Sequence, residues 1–160
     1  MQRFLTRRFE LTRSLFRSRN AGSFLAEDLW SGKTVVVKWL SHRIHRLAPG
    51  STEQLAWYHG LSHSLIGKID HAGSTPKNDL YFVRGWWKDG QQLSHDTADR
   101  EILVAQLIAA CSLLRSSRVV HGRLKPSNLW VRNANLTLLD GGLPLPDPRY
   151  LETANLSFFA

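Results

Sequence analysis

The sequence predicts an α+β fold: a small antiparallel sheet with one main helix, followed by the start of a helical region. Two observations carry this. Residues 9 to 40 alternate with the period of two that strands need, and Lys33-Thr34-Val35-Val36-Val37-Lys38-Trp39-Leu40 is β-branched and follows a Ser31-Gly32 turn. Further along, Ile102 to Leu114 is almost wholly apolar at helical spacing, and this run of 13 residues, interrupted by Gln106 and Ser112, is too short to cross a bilayer.

In chain order, strands are expected over 9–12, 23–28 and 33–40. Leu55, Tyr58, Leu61 and Leu65 then fall at helical spacing and predict a helix over 51–65. Two further strands are expected over 66–71 and 80–84, separated by the turn-rich Gly73-Ser74-Thr75-Pro76-Lys77-Asn78-Asp79. From 96 to 117 a long helix is expected, capped by Thr97 or Asp96, with Glu101 in an early turn and a nearly all-round apolar surface that implies burial. Cys111 lies in that run and is read as a small core residue. A single cysteine rules out an internal disulfide and suits a reducing compartment.

With 42% apolar and 21% charged residues the composition is globular. The net charge of +8 would suit an anionic partner, but the basic residues are scattered and no nucleic-acid-binding signature accompanies them. The first 20 residues hold six arginines and no long apolar segment, which excludes a secretory signal. His42 with His45, and His59 with His63, lack a carboxylate or thiolate that would complete a zinc site.

The densest motif is His121-Gly122-Arg123-Leu124-Lys125-Pro126-Ser127-Asn128, followed by the apolar Leu129-Trp130-Val131 and Leu136-Thr137-Leu138-Leu139, then Asp140-Gly141-Gly142. It resembles the catalytic loop of protein kinases of the Ser/Thr type, H-R-D-L-K-P-x-N, with the hairpin and metal-binding D-F-G that follow it. Ala26-Glu27-Asp28 and Val35-Val36-Val37-Lys38 resemble the family's A-x-D and V-A-x-K elements, and Leu61 to Ile66 its L-x-H-P-x-I turn.

The resemblance implies roles. Lys38 would hold nucleotide phosphates, paired with Glu53, which is the one acidic residue between Asp28 and Asp70. Asn128 and Asp140 would hold magnesium, and Lys125 would contact the transferred phosphate of ATP. His121 would be structural, and Arg84 with Trp86 and Trp87 would fall near the adenine pocket. From the residues alone, Glu53 is a solvent-facing glutamate beside an ordinary strand lysine, and the Trp pair is packing.

Three departures point the same way. The base position holds Arg123, and guanidinium stays protonated, so it cannot accept a hydroxyl proton. The glycine-loop positions fall on Phe16, Ser18 and Ala21, with Ser23 at the valine position and Gly22 one residue off register. Glycine there would let backbone N–H groups close over phosphates. The D-F-G phenylalanine is Gly141. The resemblance therefore implies a degenerate kinase-like domain, cytoplasmic, with a regulatory or scaffolding role toward other protein domains in the same longer chain, no specific nucleic acid and no membrane span. The alternative is an atypical ATP-dependent kinase. By resemblance the chain is the front of a longer domain, with 9–87 its small lobe and hinge and 88–160 the start of its helical lobe. Asn155 to Ala160 read as the approach to the A-P-E signature. Absent the helices that would follow, the helix over 102–114 is expected to leave apolar surface uncovered.

Overall fold

A computed structural model describes residues 7–41, 57–93, 100–121 and 124–141. The described residues divide between two compact units, one containing 7–41 and 69–86, the other 57–68 and 87–141. The fold is α+β.

The first unit is a five-stranded antiparallel sheet. Its strands are β1 (Phe9–Arg17), β2 (Ala21–Asp28), β3 (Lys33–Leu40), β4 (His71–Ser74) and β5 (Leu80–Gly85), in the order β1-β2-β3-β5-β4. The β-branched run is the central strand, as its composition requires, since a strand covered on both faces needs side chains that fill a pleat. Val36 and Val37 are both fully buried although they point to opposite faces. On one face Phe9, Ala26, Val35, Val37, Tyr81 and Val83 form a core, with Leu11 packed against it.

The β2–β3 turn is fixed by Asp28. Its carboxylate accepts the Trp30 N–H at 3.2 Å and the Ser31 hydroxyl at 3.0 Å, while its carbonyl accepts the Ser31 and Gly32 N–H groups. Gly32 sits at φ +65°, a conformation that glycine adopts without a steric penalty. Arg8 closes the arrangement with two 3.0 Å bonds to the same carboxylate.

The strand expected over 66–71 is displaced. The Ile66 to Ile69 stretch is not in this sheet; Ile66 bridges Leu138, and the Gly67 N–H donates to the Leu138 carbonyl at 2.7 Å. Pairing with β5 begins at His71 opposite Val83 and continues through Gly73 and Ser74, which were expected in the loop. The turn that remains, Thr75 to Asp79, is closed by the Thr75 hydroxyl, which accepts the Lys77 and Asp79 N–H groups.

In the second unit, β6 (Gln91–Gln92), β7 (Leu129–Arg132) and β8 (Asn135–Leu138) make a three-stranded sheet in that order. The hairpin β7–β8 was expected; β6 is too short and too polar to be read from sequence. Its two-residue turn has Asn133 and Ala134 both at positive φ, as a turn matching strand twist demands. Helix α1 (Arg100–Ser116) packs on β8. Gln106 joins the two: its amide oxygen accepts the Leu136 N–H at 2.6 Å and its amide nitrogen donates to the Ala134 carbonyl at 3.1 Å.

Two expectations about helices are corrected. Residues 57–60 are helical, but the chain leaves the helix at Gly60, and Leu61 to Leu65 form a turn instead. Residues 51–56 lie outside the described residues, as do the capping candidates Asp96 and Thr97 and the pair His42 and His45. Helix α1 is buried along one stripe only, Leu103, Ala110 and Leu114, while Ile102, Val104 and Ile108 are more than half exposed. Cys111 is exposed and not a core residue. Among the described residues no helix is long and apolar enough to cross a membrane.

Candidate functional site

The first unit carries Lys38 on its central strand, half-buried, in register with Ser23 of β2 and Phe82 of β5. Arg84, two residues on in β5, is buried, and its guanidinium donates to the Gly85 carbonyl at 3.1 Å. Glu53, the expected partner of Lys38, lies outside the described residues.

The β1–β2 turn is where a phosphate-binding loop was sought. Here the Ser18 N–H donates to the Ala21 carbonyl at 2.8 Å, and the Ala21 N–H donates to the Ser18 hydroxyl at 3.1 Å. Phe16 pairs with Ser23 and Arg17 with Gly22. A backbone N–H can serve a phosphate only if it is not committed elsewhere, and those of Ser18 and Ala21 are used to close a hairpin. These residues do not fit a phosphate cradle.

In the second unit the loop candidates gather at one end of the β7–β8 hairpin. Pro126 to Asn128 form a 3-10 turn in which the Asn128 N–H donates to the Lys125 carbonyl at 2.9 Å. The Asn128 carbonyl in turn accepts the Leu139 N–H at 2.8 Å. Asn128 therefore sits opposite Leu139, one residue before β7, and Asp140 follows directly. Both are buried, 4% and 5% exposed, in a protein where such residues are kept only with partners. Lys125 is exposed. Asp140 lies at φ +64°, a left-handed conformation that aspartate tolerates better than most residues. A carboxylate and an amide oxygen are the hard donors that magnesium takes alongside phosphate and water, so this pair fits that ion chemically. Among the described residues no group of three or more His, Cys, Asp and Glu could hold a metal, and His59 and His63 are both exposed.

Tyr58 organises this end of the unit. It is fully buried, its hydroxyl lies 3.5 Å from the Leu138 carbonyl, and its ring meets the His121 ring edge-on at 6.3 Å. The Gly141 N–H donates to the same hydroxyl. Burial pushes the phenol well above its ordinary value, and the charge of Asp140 adds to the effect, so Tyr58 stays neutral. A Cβ on Gly141 would stand 2.3 Å from the Tyr58 ring, so no side chain fits at this position, the one where the D-F-G pattern has phenylalanine.

His121 is reached because α1 ends sharply. The Val119 N–H donates to Leu114 and the Arg118 N–H to Arg115, with Arg118 at φ +56°, which turns the chain back toward the hairpin. Arg123 lies outside the described residues. Three residues take roles that their sequence context does not signal: Tyr58, noted for its helical spacing, Ser18, noted as a glycine-loop position, and Gln106, noted as a polar break in an apolar run. Tyr58 and Gln106 act on backbone groups 28 or more residues away, whose proximity only the fold creates, whereas Ser18 closes a local turn with Ala21. No protein-family model matches the chain, and no curated protein matches it.

Proposed function

We propose that the chain is a kinase-like module in which phosphotransfer is lost and binding or regulation within a larger signalling protein is retained. The observation that carries this is the pairing of a kept hairpin end with a closed turn. Asn128 and Asp140 stand buried together and supply donors suited to magnesium, whereas Ser18 and Ala21 spend on each other the N–H groups a nucleotide lid would need. The sequence adds Arg123, a cation in place of a base.

Phosphoryl transfer depends on positioning and electrostatics supplied together, so the parts act as a unit and restoring one of them does not restore the rate. Lys38 and Lys125 remain as cations for phosphate, and Asp140 would keep its carboxylate for the metal. The gripping and the proton acceptance are what is missing. A second reading, an atypical ATP-dependent protein kinase acting on Ser or Thr, draws support from the same buried Asn128 and Asp140. Nucleotide binding measured by fluorescence with Mg-ATP, alongside turnover, tests the two readings. Turnover abolished by Asp140→Ala would favour the second.

A further inference from the structure

We propose that the tip of the β1–β2 hairpin is a docking surface for an anionic lipid membrane. Two large apolar side chains stand next to each other there in water, Leu15 at 39% and Phe16 at 49% exposure. Register places them: β1 bulges between Ser14 and Phe16, so Leu15 is an extra residue opposite no partner. A bulge on an edge strand breaks the alternation and re-aims side chains, which is how consecutive residues both come to face solvent.

Cations surround the pair. Arg13, Arg17 and Arg19 are all exposed, and among the described residues none of them forms an ion pair. No acidic residue occurs from 11 through 26. The charges and the apolar pair thus share one short stretch of seven residues, at most about 20 Å long even if fully extended.

The contrast with Arg8 shows what an occupied arginine looks like here. Arg8 also lies beside an exposed aromatic, stacked 4.6 Å from Trp30, but Asp28 neutralises it. Arginine beside exposed leucine and phenylalanine matches the two forces at a lipid interface, attraction to acidic headgroups and burial of apolar area at the acyl boundary. Single-stranded nucleic acid answers the charge but not the leucine, which offers no ring for a base to stack on, and Phe16 is the only exposed aromatic between 11 and 26. The surface would lie on a membrane, not cross it.

The test is co-sedimentation of the full chain with phosphatidylcholine vesicles, with and without added phosphatidylserine, at low and high salt. Binding is expected only with phosphatidylserine and is expected to fall with salt. Replacing Arg13, Arg17 and Arg19 with Gln should weaken it about fivefold per residue, on the order of a hundredfold together. Replacing all three with Lys should leave it largely intact, which separates charge from a structural role. Leu15→Ser with Phe16→Ser should weaken binding while the melting curve stays that of wild type. No vesicle binding, equal binding to neutral vesicles, a Gln variant that binds like wild type, or capture of single-stranded RNA in place of vesicles would each overturn the proposal.

Discussion

The ring of Tyr58 fills the space that any side chain at residue 141 would need. A Cβ built on Gly141 falls 2.3 Å from Cε2 of Tyr58 and 2.6 Å from its Cζ and hydroxyl. Gly141 is not among the residues with positive φ, so the obstacle is volume and not backbone conformation.

A size exchange checks this relationship. Gly141→Ala should overpack the site and cost about 1–3 kcal/mol. In a Tyr58→Leu background, which removes the atoms that collide, the same change should cost far less. Chemical denaturation of the four proteins is expected to give a coupling of about 1–3 kcal/mol. Additive effects would mean that the two residues do not compete for one space.

The Arg8–Asp28 pair makes a pH expectation. The Arg8 guanidinium bonded to it, helped by Ser31 and the Trp30 N–H, holds the Asp28 carboxyl at about 2, below its ordinary 3.8. A depressed carboxyl contributes stability that is complete above the ordinary value and lost as pH falls through the folded one. Arg8 is partly exposed, so the contribution is screened and should be about 1 kcal/mol. Melting curves of wild type and Arg8→Gln should differ at neutral pH and converge near pH 2. A gap that persists in acid would place the effect of Arg8 in packing against Phe9 and Trp30.

The hairpin that carries Asn128 and Asp140 depends on Gln106. Gln106→Leu removes the acceptor of the Leu136 N–H and should destabilise the protein by about 1–3 kcal/mol. Ala134→Gly should do the opposite, gaining about 1 kcal/mol, because alanine is strained at φ +59°. Thermal melts measure both. Equal and small effects would separate the turn from the stability of the unit.

The central strands and the β7–β8 hairpin were legible because their patterns are local: β-branched runs bounded by turns, and apolar segments around Asn133-Ala134. Strand β4 was not. The strand was expected to begin at Ile66, but the Gly67 N–H donates to the Leu138 carbonyl and pairing with β5 starts only at His71, a choice set by tertiary pairing. All-round burial of α1 was expected because an apolar helix signals burial, but the structure covers only the Leu103–Ala110–Leu114 stripe; exposed Ile102, Val104 and Ile108 agree instead with the expectation of uncovered apolar surface over 102–114. At the candidate site, Asn128 and Asp140 were named only through the likeness of residues 121–142 to a kinase loop, while the Tyr58–Gly141 fit joins distant segments and leaves no trace in either one alone.

The most direct test of the account is Mg-ATP turnover by the full-length protein, measured with Arg123→Asp beside wild type. Loss of a general base alone costs on the order of 10²–10⁴ in rate, so restoring a carboxylate would revive an otherwise intact site. No measurable phosphotransfer is expected from either protein, because the turn commits the Ser18 and Ala21 N–H groups to closing the hairpin and has no glycine at 16, 18 or 21 to let the backbone close over a nucleotide. Robust phosphorylation by wild type, abolished by Asp140→Ala, would contradict it.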